Sequence, residues 1–512
     1  MKASRKKASI LNIAFALVNQ FILVIYGLLI PNLILNTFGA NLHGYTSTVN
    51  IVINYMGLLN AGLVPVAVQA MYAPLAKCDN RGISAVFNAV DKFFFKAGCY
   101  YIIAVIGASI VLPFIARGEV PIYEAAGLML AMGATNTLDC FLYSKYLTIL
   151  QADQKLFIVS WVDTIANILR LILQCILIFT HQDIIIVMAV PALMLVFRSI
   201  ILRRYCKKYY SYVDRTVEPN YNSMSQRRDS VFKKIAWLIT SNTDMFILAC
   251  VGSLIQVSIY SVYNMIFSQL YNVVVIFSNG ILASFGQLIA ENKKEKVVRA
   301  YNIYEFLFCG LAGFIFSVTA SVILPFVSIY TKNLSNIPYV DAKLVTLFII
   351  NEFFRYLKLP CDTLINAKGH FKETKWSAVT EASINLIVSL ILLKPFGMYG
   401  LLIGSIVSNI YITLYTIIYA HKHIIEKAIT QSIFRLLRTI VIIIINVSIY
   451  KYFINVYIMK SWLEWLEYAV ITSVVSMIVV GSISLITEPS MIKKCLGIVY
   501  KMKKQEDLRE NA

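Results

Sequence analysis

Nine ionisable residues interrupt stretches of this 512-residue chain that are otherwise apolar enough to cross a bilayer: Asp139, Lys145, Asp163, Arg170, Asp244, Glu352, Arg355, Lys358 and Glu381. A charge at the centre of a spanning helix costs roughly 2.5–3.5 kcal/mol on insertion scales, so each such residue is either paired, hydrated or used. Two chemistries suit them. The cations Arg170, Arg355, Lys145 and Lys358 can hold an anion such as phosphate, the arginines better because a planar guanidinium meets two phosphate oxygens at once. The carboxylates Asp244, Asp139 and Glu352 can take up and release an ion.

Spacing suggests partners. Residues equally far from the turn of a helical hairpin sit at similar height, and the hairpin before and after Gln154 places Asp139 level with Arg170 and Lys145 level with Asp163. In a second hairpin, centred between Gly369 and His370, Lys358 is level with Glu381, while Glu352 and Arg355 are three apart on one helix face. Two readings follow: ion pairs that hold each hairpin together, or charges that line a cavity. Asp244, within Ser241-Asn242-Thr243-Asp244, has no basic residue level with it, since its counterpart falls near Ile266. It is the foremost candidate for ion coupling.

The elements that must position these residues are fourteen apolar stretches, near the length of about 20 residues a spanning helix needs. Six lie at 10–34, 45–73, 97–116, 122–150, 158–179 and 184–202, and six more at 235–252, 258–285, 303–328, 340–365, 376–393 and 398–420. A final pair covers 437–458 and 466–487. The N-terminus, the even-numbered loops with their helix ends and the C-terminal tail hold 36 Lys and Arg, against six (Arg117, Lys332, Lys343, Lys394, Lys451, Lys460) on the other side. That bias places both termini in the cytoplasm of a multi-pass inner-membrane protein. The basic N-terminus runs into apolar sequence reaching Leu35 and containing Pro31, which reads as a retained first helix and not as a cleaved signal.

With 59% hydrophobic and 14% charged residues, the composition is that of a membrane protein. The net charge of +19 sits on the cytoplasmic side, where it suits topology and anionic lipid headgroups; no basic-aromatic groove motif indicates nucleic acid. Nine cysteines form no CxxC, and the five histidines lie in loops or at their edges, so neither a disulfide framework, a metal site nor a cofactor is indicated. The outer loops 36–44, 118–121, 180–183 and 252–257 are too short to hold a catalytic domain, which argues against an enzyme that polymerises or acylates glycans.

The chain reads as an N-terminal six-helix lobe (1–202), a basic linker (203–234), a second six-helix lobe (235–420) and a final helix pair with a basic tail (421–512). The lobes look like copies. Leu112-Pro113-Phe114-Ile115 recurs as Leu324-Pro325-Phe326-Val327, Gln151-Ala152 as Asn366-Ala367, and Trp161 as Trp376. The last two matches share an offset of 215 residues. Even-numbered copies share an orientation about an axis along the membrane normal, a pseudo-two-fold arrangement that leaves a cavity between lobes. Polar Ser47, Asn50 and Asn54 share a face of the second helix, as a sugar-binding wall or as helix–helix glue. Asp79–Lys96 is amphipathic and reads either as an interfacial segment or as an extension of the third helix.

Pro31-Asn-Leu-Ile-Leu-Asn-Thr-Phe-Gly39, then Gly44, Asn60-Ala-Gly62, the Thr243-Asp244 pair and the twelve-plus-two layout together resemble the polysaccharide transport family of bacterial oligosaccharide flippases. The superfamily of that family also contains multidrug and toxin extruders and lipid II flippases. The resemblance covers essentially the whole chain. It implies an all-α polytopic fold with two lobes around a cationic cavity, and translocation of an undecaprenyl-diphosphate-linked oligosaccharide from the cytoplasmic to the outer leaflet. Lipid tails would lie at the lobe seam or along the last helix pair. Its implied partners are that lipid-linked oligosaccharide, membrane lipids and polysaccharide polymerase machinery, with coupling to a proton or sodium gradient. The rival expectation is a drug or cation antiporter of the extruder type, which needs neither the membrane-embedded cations nor the last helix pair. A non-transporting scaffold of a cell-wall synthesis complex is the third.

Overall fold

The computed structural model describes residues 2–60, 63–153, 155–221, 242–290, 294–334, 336–370, 373–453, 459 and 461–497, and every regular element among them is helical. In chain order these are α1 (Lys2–Phe38), α2 (Ala40–Met56), α3 (Leu63–Ala76), α4 (Asn80–Ile115), α5 (Ile122–Ala152), α6 (Leu156–Phe179), α7 (Ile184–Tyr209) and α8 (Asn242–Val251). They continue with α9 (Leu254–Ala290), α10 (Lys294–Tyr330), α11 (Ala342–Leu357), α12 (Leu359–Lys368), α13 (Lys375–Phe396), α14 (Met398–Ala420), α15 (Thr430–Phe453) and α16 (Trp462–Thr487). The chain divides into two compact units, 1–269 and 270–512.

Ten helices among the described residues are long and apolar enough to cross a membrane. The protein is an all-α, multi-pass membrane protein. The four other expected crossings are accounted for locally. The 45–73 crossing is split into α2 and α3 by a tight turn at Gly57–Asn60, with 61 and 62 outside the described residues. Of 235–252 the structure describes α8 alone, and residues 235–241 lie outside it, as do 222–234 of the expected linker. The 340–365 crossing is broken at Lys358 into α11 and α12. The 258–285 crossing falls inside the unbroken α9.

Carboxylates and hydroxyls set the helix starts. Asp79, Asp183, Asp341 and Ser461 each accept from backbone N–H groups of the first turn of α4, α7, α11 and α16. Each satisfies donors that have no intrahelical partner. Small residues set the closest approaches. A Cβ on Gly404 of α14 would stand 2.7 Å from the backbone nitrogen of Ser389 on α13. The same seam is tied by Asn385 donating to Ser405 at 2.7 Å and Ser389 to the Leu401 carbonyl at 3.2 Å. Where lipid tails are as apolar as the helices, such close backbone packing and interhelical hydrogen bonds replace the hydrophobic effect.

In the first unit α1 packs along α6, α4 along α5, and α7 against both α5 and α6. The amphipathic segment 79–96 is an extension of α4: its Val86, Phe87, Val90 and Phe94 are buried. The chain leaving α7 lies back on it, with the Asn88 amide donating to the carbonyls of Asp214 (3.0 Å) and Val217 (2.8 Å).

In the second unit α10 carries α11, α15 and α16. The last two are fastened to it by a buried neutral network of two arginines and two glutamates. Arg435, fully buried, reaches Glu305 at 2.6 Å and Glu488 at 2.9 Å, and Arg438 reaches Glu488 at 2.7 Å. Ser432 and His421 extend the network, His421 Nε2 lying 2.8 Å from the Ser432 hydroxyl.

Both expected copies of the fourth crossing are interrupted at matching places. α5 contains a wide π turn at Asp139–Tyr143. The offset of 215 residues carries that turn to 354–358, where α11 ends at Leu357 and α12 begins at Leu359. Such breaks change which face a side chain presents, and they concentrate at functional sites.

Candidate functional site

Arg170, midway along α6, points at α1, where its guanidinium carbon lies 3.7 Å from the centre of the Tyr26 ring. It forms one wall of a cavity of about 310 Å³ whose polar lining includes Thr46, Ser47 and Asn50 of α2 and Thr135 and Asn136 of α5. Among the described residues, Arg170 Nε and the Thr135 hydroxyl are buried with no hydrogen-bond partner. Among the described residues Arg170 forms no ion pair. A desolvated cation–π contact contributes about 2 kcal/mol, whereas taking an ion out of water costs several kcal/mol. Stacking alone therefore does not offset the burial of this charge.

The charges beside the π turn form a second cluster in the same unit. The Tyr143 hydroxyl donates to both Asp163 oxygens, at 2.8 and 3.0 Å, and Arg198 of α7 reaches Asp163 at 3.3 Å while lying 4.5 Å over the Tyr143 ring. Asp139 accepts from the Ser144 hydroxyl at 2.6 Å and interacts electrostatically with both Arg198 and Asp163. Asp139 thus lies beside the Asp163–Arg198 pair without bonding its guanidinium among the described residues.

The pairs expected from height alone are not made here. Asp139 bonds to Ser144 and not to Arg170, and Lys145 turns to Asp91 of α4 at 2.7 Å and not to Asp163. Equal height does not make a pair when the side chains face different ways. The π turn takes an extra residue between Asp139 and Lys145 and rotates the faces that follow it.

In the second unit the expected pairs form. Arg355 reaches Glu352 at 3.2 Å and stacks over Tyr271 of α9 at 3.8 Å. Glu352 also accepts from Asn351 at 3.1 Å, and Asn409 of α14 donates to Asn351 at 2.9 Å. Lys358, at the break between α11 and α12, reaches Glu381 of α13 at 3.0 Å. Each cation here has its own carboxylate, unlike Arg170.

Asp244 is 8% exposed and accepts from the Tyr260 hydroxyl at 3.2 Å. Its neighbours join the second helix: Thr243 lies 3.3 Å from the Tyr55 hydroxyl, and Asn54 donates to Asn242 at 3.5 Å. The polar face of α2 therefore serves two places, Ser47 and Asn50 at the Arg170 cavity and Asn54 at the Asp244 contact.

Several residues of these clusters escape sequence reasoning. Arg198 carried a signal, as a cation inside a crossing, and its partner Asp163 lies nearly level with it across the 180–183 turn, where the same height argument could have found it. Tyr26 and Tyr271 carried none, being two of 31 tyrosines. The acids Glu305 and Glu488 of the α10–α15–α16 network lie near the ends of the expected crossings 303–328 and 466–487, where charges are ordinarily solvated. Among the described residues no group of three or more His, Cys, Asp or Glu is placed to hold a metal ion.

No protein-family model matches the chain, and no curated protein matches it. Solved structures do. The lipid II flippase MurJ in an inward closed conformation superposes with a TM-score of 0.69 at 14% identity, covering 94% of this chain and 100% of its own. An inward-facing multidrug resistance MATE family transporter gives 0.64 at 13% identity, covering 78% and 94%. A MATE transporter of Vibrio cholerae gives 0.55 at 14% identity, covering 83% and 98%. At these identities the likeness is one of fold: the chain is built like the MATE and MurJ transporters.

Proposed function

We propose that this protein is a flippase that moves an undecaprenyl-diphosphate-linked oligosaccharide from the cytoplasmic to the outer leaflet of a bacterial inner membrane, for cell-surface polysaccharide synthesis. The observation that carries the reading is Arg170, a cation in mid-membrane with no carboxylate of its own among the described residues, facing a polar cavity. A diphosphate crossing hydrocarbon needs such a charge, because an isolated anion is expelled from a low-dielectric layer. The guanidinium also matches phosphate oxygens in pairs.

In this account Arg170 is the first ligand of the diphosphate. Arg355, Lys358 and Lys145 are held by Glu352, Glu381 and Asp91 until substrate competes for them. No bond is made or broken, so the protein acts by alternating access and needs no cofactor. Coupling is assigned to Asp139 ahead of Asp244 and Glu352. Asp139 lies beside the Asp163–Arg198 pair and bonds no cation among the described residues, whereas Glu352 is matched by Arg355. The further partners are membrane lipids and the polymerase machinery that takes up the flipped product.

A drug or cation antiporter is the second reading, favoured by the likeness to MATE transporters. The greater share of the chain covered by MurJ, 94% against 78% for the inward-facing MATE transporter, speaks for the flippase. Cells deleted for the protein and complemented with wild type or Arg170→Ala decide between them by which leaflet holds the lipid-linked oligosaccharide. Accumulation in the cytoplasmic leaflet that wild type relieves and the variant does not supports flipping. A normal distribution in the deleted cells contradicts it and moves export of drugs or cations to the front.

A further inference from the structure

A second cavity in the first unit, of about 340 Å³, opens where α7 ends, apart from the charges described above. Three cations line it: Arg203 and Lys207, one turn apart on α7, and Arg215 from the chain that follows. Its apolar floor is made by Phe87 of α4 and by Tyr146 and Ile149 of α5, all buried, with the two rings 6.3 Å apart.

Among the described residues no carboxylate lines the cleft, and the acids nearby are engaged elsewhere. Asp91 holds Lys145 at 2.7 Å, Asp153 holds Lys155 at 2.8 Å and accepts from Tyr210 at 2.6 Å, and Asp214 accepts from the backbone and hydroxyl of Thr216 at 2.8 Å. Among the described residues none of Arg203, Lys207 and Arg215 forms an ion pair. Arg215 is held opposite α7 by its own backbone surroundings. Asn88 clasps the carbonyls on either side of it, Asp214 N–H donates to Ser84 at 3.0 Å, and Asn220 N–H donates to Ala85 at 3.1 Å. Three like charges kept around one opening repel one another unless an anion sits among them.

The approach to the cleft identifies the anion. Leu193 (57% exposed), Phe197 (37%) and Ile200 (47%) fall at helical spacing on one face of α7, which continues through Arg204 to Lys207, with Arg203 flanking it on the side of the cleft. An acyl chain lying along this exposed apolar stripe brings its phosphate to the cations at the end. The Lys/Arg bias of the sequence assigns this end to the leaflet facing the cytoplasm, and basic pockets between helices on that side suit anionic headgroups.

We propose that the cleft formed by Arg203, Lys207 and Arg215 is a binding site for the headgroup phosphate of an anionic phospholipid, whose acyl chain runs along Leu193, Phe197 and Ile200. The site is independent of the transported substrate. Its role is to anchor the end of α7, and the chain that docks onto α4, to the membrane surface.

The test uses the full chain, purified in an uncharged detergent, with phosphatidylglycerol and phosphatidylcholine of identical acyl chains as probes and native mass spectrometry or lipid-induced thermal shift as readout. Wild type is expected to bind phosphatidylglycerol about tenfold more tightly than phosphatidylcholine. Arg203→Ala with Arg215→Ala is expected to remove most of that preference, and Arg203→Lys with Arg215→Lys to keep part of it. Lys92→Ala, exposed on α4 and outside the lining of the cleft, is expected to leave it unchanged. An undiminished preference in the double alanine variant overturns the site, as does an equal loss in Lys92→Ala, which would report unspecific charge. Saturation of the same effect by inorganic phosphate alone overturns the lipid assignment in favour of a soluble phosphate compound. If the alanine pair fails to fold, equal binding of both lipids by the folded lysine pair and by wild type overturns the proposal.

Discussion

The Arg170 guanidinium lies 3.7 Å over the Tyr26 ring, and the Arg355 guanidinium 3.8 Å over the Tyr271 ring, yet only Arg355 has a carboxylate, Glu352, at 3.2 Å among the described residues. The same chemical motif is therefore left open in one unit and closed in the other. The difference separates a charge available to a ligand from one already neutralised, and it sets opposite expectations for the two arginines.

Replacing Arg355 by Ala leaves Glu352 buried without its cation. Loss of one partner of a buried pair costs about 3–5 kcal/mol. Arg170→Ala strands no partner and is expected to leave thermal stability unchanged or raised. Unfolding midpoints of the two variants in detergent check this. Equal destabilisation would show that Arg170 has a structural anion of its own within the protein.

Lys358 and Glu381, at 3.0 Å, are expected to be coupled. A double-mutant cycle with Lys358→Met and Glu381→Gln should give a double variant more stable than either single one, because neutralising both ends removes the stranded charge. Additive losses would mean that the two side chains act independently.

Glu488 caps the end of α16, outside the spanning segment. Burial pushes its carboxyl up, but hydrogen bonds from Arg435 and the charges of Arg435 and Arg438 together outweigh this and hold it below the usual glutamate range. A lowered folded value means that the unfolded state binds the proton more readily. The stabilisation is then complete above the unfolded value of about 4.3 and is lost as pH falls through the lowered folded one. Unfolding midpoints should drop over that acid range in wild type. Glu488→Gln should start lower and lose the part of the slope that Glu488 supplies; an unchanged acid slope in the variant contradicts the assignment.

Asp139→Asn is expected to abolish the dependence of transport on an ion gradient while leaving substrate binding in place, since the amide keeps the Ser144 hydrogen bond but cannot ionise. Asp244→Asn serves as the comparison. Uncoupling by Asp244→Asn with normal coupling in Asp139→Asn would return the role to the carboxylate that the sequence alone favours.

Much of the fold was legible because a membrane imposes length and polarity on a helix, and short loops leave little freedom in connecting them. The crossings that became α4, α6, α7, α10, α13, α14, α15 and α16 fall where the apolar runs predict. The Lys358–Glu381 and Glu352–Arg355 pairs were legible because helical geometry fixes height and near-neighbour faces. Asp139 and Lys145 were misdirected because nothing in the sequence signals a π turn, which shifts the face without breaking the apolar run. Arg435 and Glu488 drew no attention in the sequence for a different reason. Near the end of a crossing a charge reads as solvated, and only the packing of α15 and α16 on α10 buries it.

The central claim is that Arg170 holds the diphosphate of a lipid-linked sugar during its passage. It is tested most directly in proteoliposomes loaded with a fluorescent undecaprenyl-diphosphate oligosaccharide, by the rate at which label moves between leaflets. The account predicts transport by wild type, a loss of at least about tenfold in Arg170→Ala, as expected for one charge-assisted contact, and partial retention in Arg170→Lys. Transport at the wild-type rate by a folded Arg170→Ala protein would contradict it.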